Sequence, residues 1–262
     1  MRFLSIAHSD VGIKKETNQD SVLVKEASTD CGSVVLSVIC DGMGGLAKGE
    51  VASAALVRTF SRWFEEEFPF LIYETNGKIH KLDYNILQRS LNQLIDQVNL
   101  KIAAYGEGYH SPCGTTLAAL LLINDRYYIA NVGDSRVYLL DGGVRLLTKD
   151  QTFVQREMDE GRMTKEEAKN HPQRNVLLQC VGASNIVIPD FFEGQFKEGD
   201  MFMLCSDGFR HLITDEEFRV ILEPSKLTTE KSMQNAAVYC TELNKQRKEN
   251  DNISVVLIKA FK

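Results

Sequence analysis

The apolar segments of this chain follow one another as short strand-like runs, at residues 3–7, 21–24, 34–40, 116–123, 127–132, 137–140, 201–205 and 253–258, with no helix after each. Parallel strands would need a crossover helix between successive runs, so alternating βαβ units are not the pattern. Antiparallel sheets with the helices gathered elsewhere fit it. Two stretches carry the helical period: Ala52, Ala55, Leu56, Thr59, Phe60, Trp63 and Phe64, then Leu87, Leu91, Leu94, Val98 and Ile102. Asp141-Gly142-Gly143 reads as a hairpin turn, Thr-Asp-Glu-Glu from Thr214 as a capping box opening a helix, and residues 230–247 as a last helix. The expectation is a layered α+β fold, with residues 1–262 forming one domain. The polar stretch 155–175, with Gly161 and Pro172, marks a flap at about 153–185.

Composition narrows the function. Hydrophobic residues are 44% and charged residues 25%, an ordinary globular balance with room for a sizeable core. The net charge of −6 would repel a phosphate backbone, so nucleic acid is not an expected partner. Residues 1–10 carry no apolar signal region, and no apolar run approaches the ~20 residues that span a bilayer. A cytoplasmic chain without a membrane anchor is expected. The six cysteines form no C-x-x-C pair and are expected to be reduced, mostly buried thiols. Nothing suggests a coiled coil or a large apolar patch, so a monomer is expected.

Asp20, Asp41, Asp134, Asp207 and Asp251 each stand at the start or end of a strand-like run, usually beside glycine or asparagine. Singly, each could be a turn residue. Together, at one edge of a sandwich, they would converge. Four carboxylates about 6 Å apart at an effective dielectric of about 20 repel by roughly 3 kcal/mol per pair, on the order of 17 kcal/mol over all pairs. Such a cluster protonates or binds metal. With oxygen donors and no histidine or thiolate in the set, the ions should be hard, Mg²⁺ or Mn²⁺, retaining several waters. Two ions would lower the pKa of a bridging water and orient it for in-line attack on phosphorus. Gly42, lacking Cβ, lets its carbonyl approach a cation. Two competing motifs fail: no G-x-S-x-G surrounds Ser206, and glycine rather than Ser or Thr follows Lys48, so neither a nucleophile elbow nor a P-loop is present.

Thr17-Asn18-Gln19-Asp20, Cys40-Asp41-Gly42-Met43-Gly44-Gly45, Gly114-Thr115-Thr116, Asn131-Val132-Gly133-Asp134-Ser135-Arg136, Leu147-Thr148-Lys149-Asp150, Cys205-Ser206-Asp207-Gly208 and Asp251-Asn252 occur in this order. They resemble the ordered motifs of type 2C metal-dependent protein Ser/Thr phosphatases, over nearly the whole chain. Met43, where animal members have histidine, resembles the bacterial branch. The resemblance implies a four-layer αββα sandwich, two antiparallel β-sheets flanked by helices, with the metals in a cleft at one end. It implies that Asp41 bridges two Mn²⁺ or Mg²⁺ ions, the Gly42 carbonyl binds one, Asp207 and Asp251 hold the other, and Asp20 acts through water. Asp134 with Asp207 matches a third, weaker metal site. The implied substrates are phosphoserine and phosphothreonine on proteins, the targets of a Ser/Thr kinase in the same cell.

The chain departs from the family pattern at three places. Lys15 stands where an arginine usually grips the substrate phosphate, and offers a point charge in place of a bidentate fork. Gln19 replaces a carboxylate often found beside the metals. Gln151 stands where a histidine often follows the Leu-Thr-x-Asp motif, which, with Met43, removes the usual proton donors. These departures motivate an alternative, a pseudophosphatase that binds a phosphorylated partner without turnover. The histidines His8, His80, His110, His171 and His211 lack metal-ligand spacing and are expected to be surface or structural, as is Arg174.

Overall fold

The computed structural model describes residues 1–29, 32–43, 48–73 and 82–261. Its strands are β1 (Arg2–Asp10), β2 (Asp20–Thr29), β3 (Gly32–Asp41), β4 (Leu117–Ile123), β5 (Arg126–Val132), β6 (Arg136–Leu140), β7 (Val144–Leu146), β8 (Asp190–Gln195), β9 (Met201–Cys205) and β10 (Ile253–Phe261). They form two five-stranded sheets in the orders β1-β10-β9-β6-β7 and β2-β3-β4-β5-β8, and every pairing is antiparallel. The helices are α1 (Gly49–Glu66), α2 (Phe68–Ile72), α3 (Tyr84–Gly108), α4 (Phe153–Asp159), α5 (Lys165–Asn170), α6 (Asp207–Arg210), α7 (Asp215–Ile221) and α8 (Glu230–Gln246).

The alternation within the strands produces the layers. Along β3, Val35 and Ile39 face the space between the sheets, while Val34, Leu36, Val38 and Cys40 face the other way. β4 does the same with Ala118, Leu120 and Leu122 inward and Leu117, Ala119, Leu121 and Ile123 outward, so it reads as an unbroken apolar run because both its faces are covered. The outward set of the second sheet packs under Leu56, Phe60 and Trp63 of α1 and Leu87, Ile95 and Val98 of α3. The outward set of the first sheet, including Met201, Met203, Cys205, Val255 and Leu257, packs under Phe209, Phe218, Met233, Ala237 and Cys240 from α6, α7 and α8. The α+β sandwich expected from the sequence is thus the fold observed.

Both helical stretches read from periodicity are helices, and the apolar residues Leu56, Phe60, Trp63, Leu87 and Leu91 are buried. The Thr214–Glu217 capping box opens α7 with both reciprocal bonds made. Residues 141–143 turn β6 into the short β7. The sequence reading did not contain β8, whose DFFEGQ alternates poorly, because it is a half-exposed edge strand that buries little. It also lacked the short helices α2, α4, α5 and α6. Asp207, read as closing a strand, instead opens the single turn of α6. Cys40, Cys113, Cys180, Cys205 and Cys240 are buried free thiols, whereas Cys31, Gly44, Gly45 and His80 lie outside the described residues.

Phe202 sits between the sheets, fully buried, with ring centroids 5.7 Å from Tyr127 and 5.3 Å from Phe196. Phe202→Ala is expected to cost about 3–5 kcal/mol in unfolding free energy, read from a shifted urea midpoint.

Candidate active site

The strand register brings the aspartates together. β2 and β3 pair so that Asp20 lies directly opposite Asp41 at the same end of the second sheet. In the first sheet Cys205 pairs with Val255, so Asp207 and Asp251 leave adjacent strands at that end too. Asp41 is fixed by its own backbone: its N–H donates to Thr116 Oγ1 at 2.9 Å, and its carbonyl accepts from Thr116 N and Thr115 Oγ1, each at 2.9 Å. Thr116 Oγ1 also bonds Ser135 Oγ at 2.7 Å, tying this corner to the residue after Asp134. Gly42 is required by space, since a Cβ there would lie 2.4 Å from the Gly49 oxygen and 2.6 Å from the Gln19 oxygen. Gly208 meets the same constraint, with the Asn252 oxygen 2.2 Å from the place of a Cβ.

Asn252 fastens the loop before Asp20 to the strand after Asp251. Its Oδ1 accepts from Gln19 N at 2.9 Å, and its Nδ2 donates to the carbonyls of Val11 at 2.9 Å and Thr17 at 3.2 Å. That loop delivers Lys15, whose ammonium stands 3.0 Å from Asp251 Oδ1, with both side chains about one-third exposed. Burial would lower the Lys15 pKa, but the bond to Asp251 and the nearby charges of Asp41 and Asp207 raise it above its ordinary value.

The cluster bears the electrostatic cost expected of it. Burial, opposed by the neighbouring Ser254 and Ser206 hydroxyls and reinforced by the charges of Asp207 and Asp251, pushes Asp20 up to about 7. Neither of those hydroxyls makes a bond of full hydrogen-bond geometry to Asp20, and both Asp20 oxygens are buried without a partner among the described residues, as is Asp207 Oδ1. Burial and the charges of Asp20 and Asp207 push Asp41 well above the carboxylate range. Burial and Asp207 push Asp134 up to about 7 against the pull of Arg210. Buried, unpartnered, mutually repelling carboxylate oxygens are the donor set that a hard divalent cation fits. Among the described residues no three His, Cys, Asp or Glu side chains close around one point. An ion held here would therefore complete its shell with water or backbone carbonyls.

The sequence reading missed the residues behind this cluster. Glu249 is buried, accepts from the N–H groups of Asn250 at 2.7 Å and Asp251 at 3.0 Å, and faces His211 Nδ1 at 3.7 Å. His211 Nε2 is in turn 3.7 Å from Asp207 Oδ2. His211 was expected to be structural, and it does stand behind an aspartate of the cluster. Arg210 contacts Asp134, and Arg136 holds Asp150 with two bonds of 2.8 and 2.7 Å. The i, i+4 spacing of Asp207 and His211 was the one available signal. Gln151 is spent on structure: its Oε1 accepts from Gly133 N and Gln179 Nε2, each at 2.9 Å, and its Nε2 donates to Asp190 Oδ2 at 2.9 Å. Arg174 is exposed in the turn after α5.

The family model for protein phosphatase 2C matches residues 12–244. The "Serine/threonine phosphatase stp" of Listeria innocua is 36% identical over 224 residues, covering 84% of this chain and 82% of that protein. The "Serine/threonine protein phosphatase PstP" of Mycobacterium tuberculosis is 34% identical over 253 residues, covering 96% of this chain and 44% of that longer protein. Among solved structures, serine/threonine phosphatase Stp1 from Staphylococcus aureus superposes with a TM-score of 0.84 at 26% identity, covering 100% of this chain and 96% of that one. The catalytic domain of PstP in complex with two manganese ions superposes with a TM-score of 0.78 at 30% identity, covering 99% of each. The shared sandwich and the matched motifs define a protein phosphatase. This chain belongs to the protein phosphatase 2C family, whose bacterial Ser/Thr phosphatases are the relatives it matches.

Between pH 3.8, the ordinary carboxylate value, and about 7, the folded chain keeps protons on Asp20 and Asp134 that the unfolded chain has released. Without metal, this contribution to stability is complete below that window and is lost as pH rises through it. In EDTA the melting temperature is expected to fall between about pH 4 and about pH 7 and to level off above it, and to fall less in Asp20→Asn. Mn²⁺ should raise it most at the alkaline end, where the carboxylates no longer need to release protons. A metal-free melting curve independent of pH in this range would contradict the assignment.

Proposed function

We propose that this protein Ser/Thr phosphatase hydrolyses phosphoserine and phosphothreonine on proteins with the help of two Mn²⁺ or Mg²⁺ ions, opposing a Ser/Thr kinase in the same cytoplasm. The observation that carries the reading is the buried, unpartnered carboxylate oxygens of Asp20 and Asp207, with half-buried Asp41 opposite Asp20 and Asp251 beside them. The two manganese ions named for the PstP catalytic domain support the choice of metal and its number. Formal charge supports the number as well: four carboxylates carry −4, which two divalent ions balance.

Asp41 would bridge the two ions, with the Gly42 carbonyl on one and Asp207 and Asp251 on the other, while Asp20 would act through water. Bound there, the pair supplies an activated water in line with phosphorus and positive charge for the phosphoryl oxygens. The chain's own residues do the positioning. Thr115 and Thr116 hold the Asp41 backbone in place, and Asn252 fixes the approach of the Lys15 loop. Lys15 now neutralises Asp251. With Asp251 engaged by a cation, the Lys15 ammonium would be free for the substrate phosphate, which it would bind as a point charge without the orientation a guanidinium gives. Of the proposed flap at residues 153–185, the part that would move is α4 and α5, since Val181 near its end is buried in the core and pairs with Thr115. These two helices bury only Val154 and Ala168, so they contribute little to the core and can open at low cost.

Phosphopeptide hydrolysis in Mn²⁺ is expected to disappear in excess EDTA and to fall by at least about a thousandfold in Asp41→Ala and in Asp207→Ala, because the uncatalysed reaction is extremely slow. Lys15→Ala should raise KM, with Lys15→Arg recovering or exceeding wild-type affinity. Activity persisting in both aspartate variants would sink the reading. Phosphopeptide binding without turnover in Mn²⁺ would favour the binding-only alternative, which the Lys15–Asp251 pair motivates.

A further inference from the structure

Behind the carboxylate cluster lies a second group of charges that hydrolysis as proposed does not use. Arg210 ends α6 with its side chain only 11% exposed. Its Nη2 donates to the Asp134 carbonyl at 3.0 Å and stands 3.5 Å from both Asp134 Oδ2 and Asp150 Oδ2. Arg136 completes the set with its two bonds to Asp150 and a third to Tyr138 Oη at 2.9 Å. Two guanidinium groups against Asp134 and Asp150 sum to zero formal charge. Asp207, the other carboxylate matched to a third metal, has His211 Nε2 at 3.7 Å on its Oδ2.

The two sides of the cluster therefore differ. On one side Lys15 is a partly exposed ammonium that bonds Asp251 and lies near Asp41 and Asp207, and two of the Asp20 and one of the Asp207 oxygens are buried without a partner among the described residues. Asp134 already faces a permanent cation that cannot deprotonate and is anchored in the chain. A divalent ion added beside Asp134 would meet Arg210 directly, with Arg136 close behind, and would find only one unpartnered oxygen there, Asp207 Oδ1.

We propose that Arg210 takes the place of a third metal ion, so that the enzyme binds two divalent ions and its guanidinium holds Asp134 where a third ion would otherwise stand. The assignment rests on the two-ion reading above. It makes the charge at this corner of the cleft independent of the free metal concentration, since a guanidinium cannot be removed by a chelator.

Mn²⁺ bound per folded chain, counted by equilibrium dialysis up to millimolar free metal, tests it without reference to activity. The wild type should bind two ions, and Asp134→Asn should still bind two, because Asp134 is not a ligand. Arg210→Gln, which removes the charge while keeping polar atoms, should gain a third, weaker site. Three ions in the wild type, a loss of one ion in Asp134→Asn, or no gain in an Arg210→Gln chain that circular dichroism shows to be folded would each overturn the proposal. If Arg210→Gln does not fold, the wild-type and Asp134→Asn counts decide it. Fewer than two ions in the wild type would instead overturn the two-ion reading beneath it.

Discussion

The opposition of Asp20 and Asp41 across neighbouring strands is the constraint that the rest of the site answers. An antiparallel register places two carboxylates side by side at a sheet end, and the sandwich adds Asp207 and Asp251 from the other sheet. Left alone, that arrangement would push the strand ends apart or fill with protons, as the raised values of Asp20 and Asp41 express. The fold resists the first outcome with bonds that do not depend on the carboxylates. Thr115 and Thr116 grip the Asp41 backbone, Asn252 fastens the loop before Asp20, and Glu249 holds the N–H of Asp251. Repulsion is thereby stored in a rigid frame and made available to a cation.

Charge is compensated unevenly around that frame. On the open side Lys15 is a single, partly exposed ammonium on a loop. On the closed side Arg136 and Arg210 are packed under α6 and the first sheet against Asp134 and Asp150. The open side can exchange its partner for a substrate or an ion, whereas the closed side is part of the scaffold. Burial determines this division more than charge does, because an exposed pair contributes little and is easily traded, while a buried one is costly to break.

Much of this was legible in the sequence. The layered antiparallel α+β fold followed from strand runs that succeed one another without helices, the two-sheet sandwich from the family resemblance, and the aspartates from their position at strand ends. What remained hidden depends on contacts between residues distant in the chain. Arg210, His211 and Glu249 look like ordinary surface charges at the ends of helices, and only the single turn of α6 aims them at Asp134 and Asp207. Asn252 was visible as half of an Asp-Asn pair, but its bonds to Val11, Thr17 and Gln19 reach across nearly the whole chain. Lys15 was found through the family resemblance, as the residue standing where an arginine is usual, and its pairing with Asp251 was not visible in the sequence. β8 escaped because an edge strand needs only one apolar face, and half-exposed residues leave a weak periodic trace.

The pairing of β1 with β10 has a consequence for how the enzyme comes into being. Arg2 lies opposite Phe261, so within this domain the first strand made waits for the tenth before its sheet can close. Asp251 arrives with that same tenth strand. A nascent chain carrying Asp20, Asp41 and Asp207 thus lacks both the completed sheet and the fourth carboxylate. The order of synthesis keeps the carboxylate cluster unassembled until the domain's tenth strand has been made, and a product truncated before it would hold only part of the cluster.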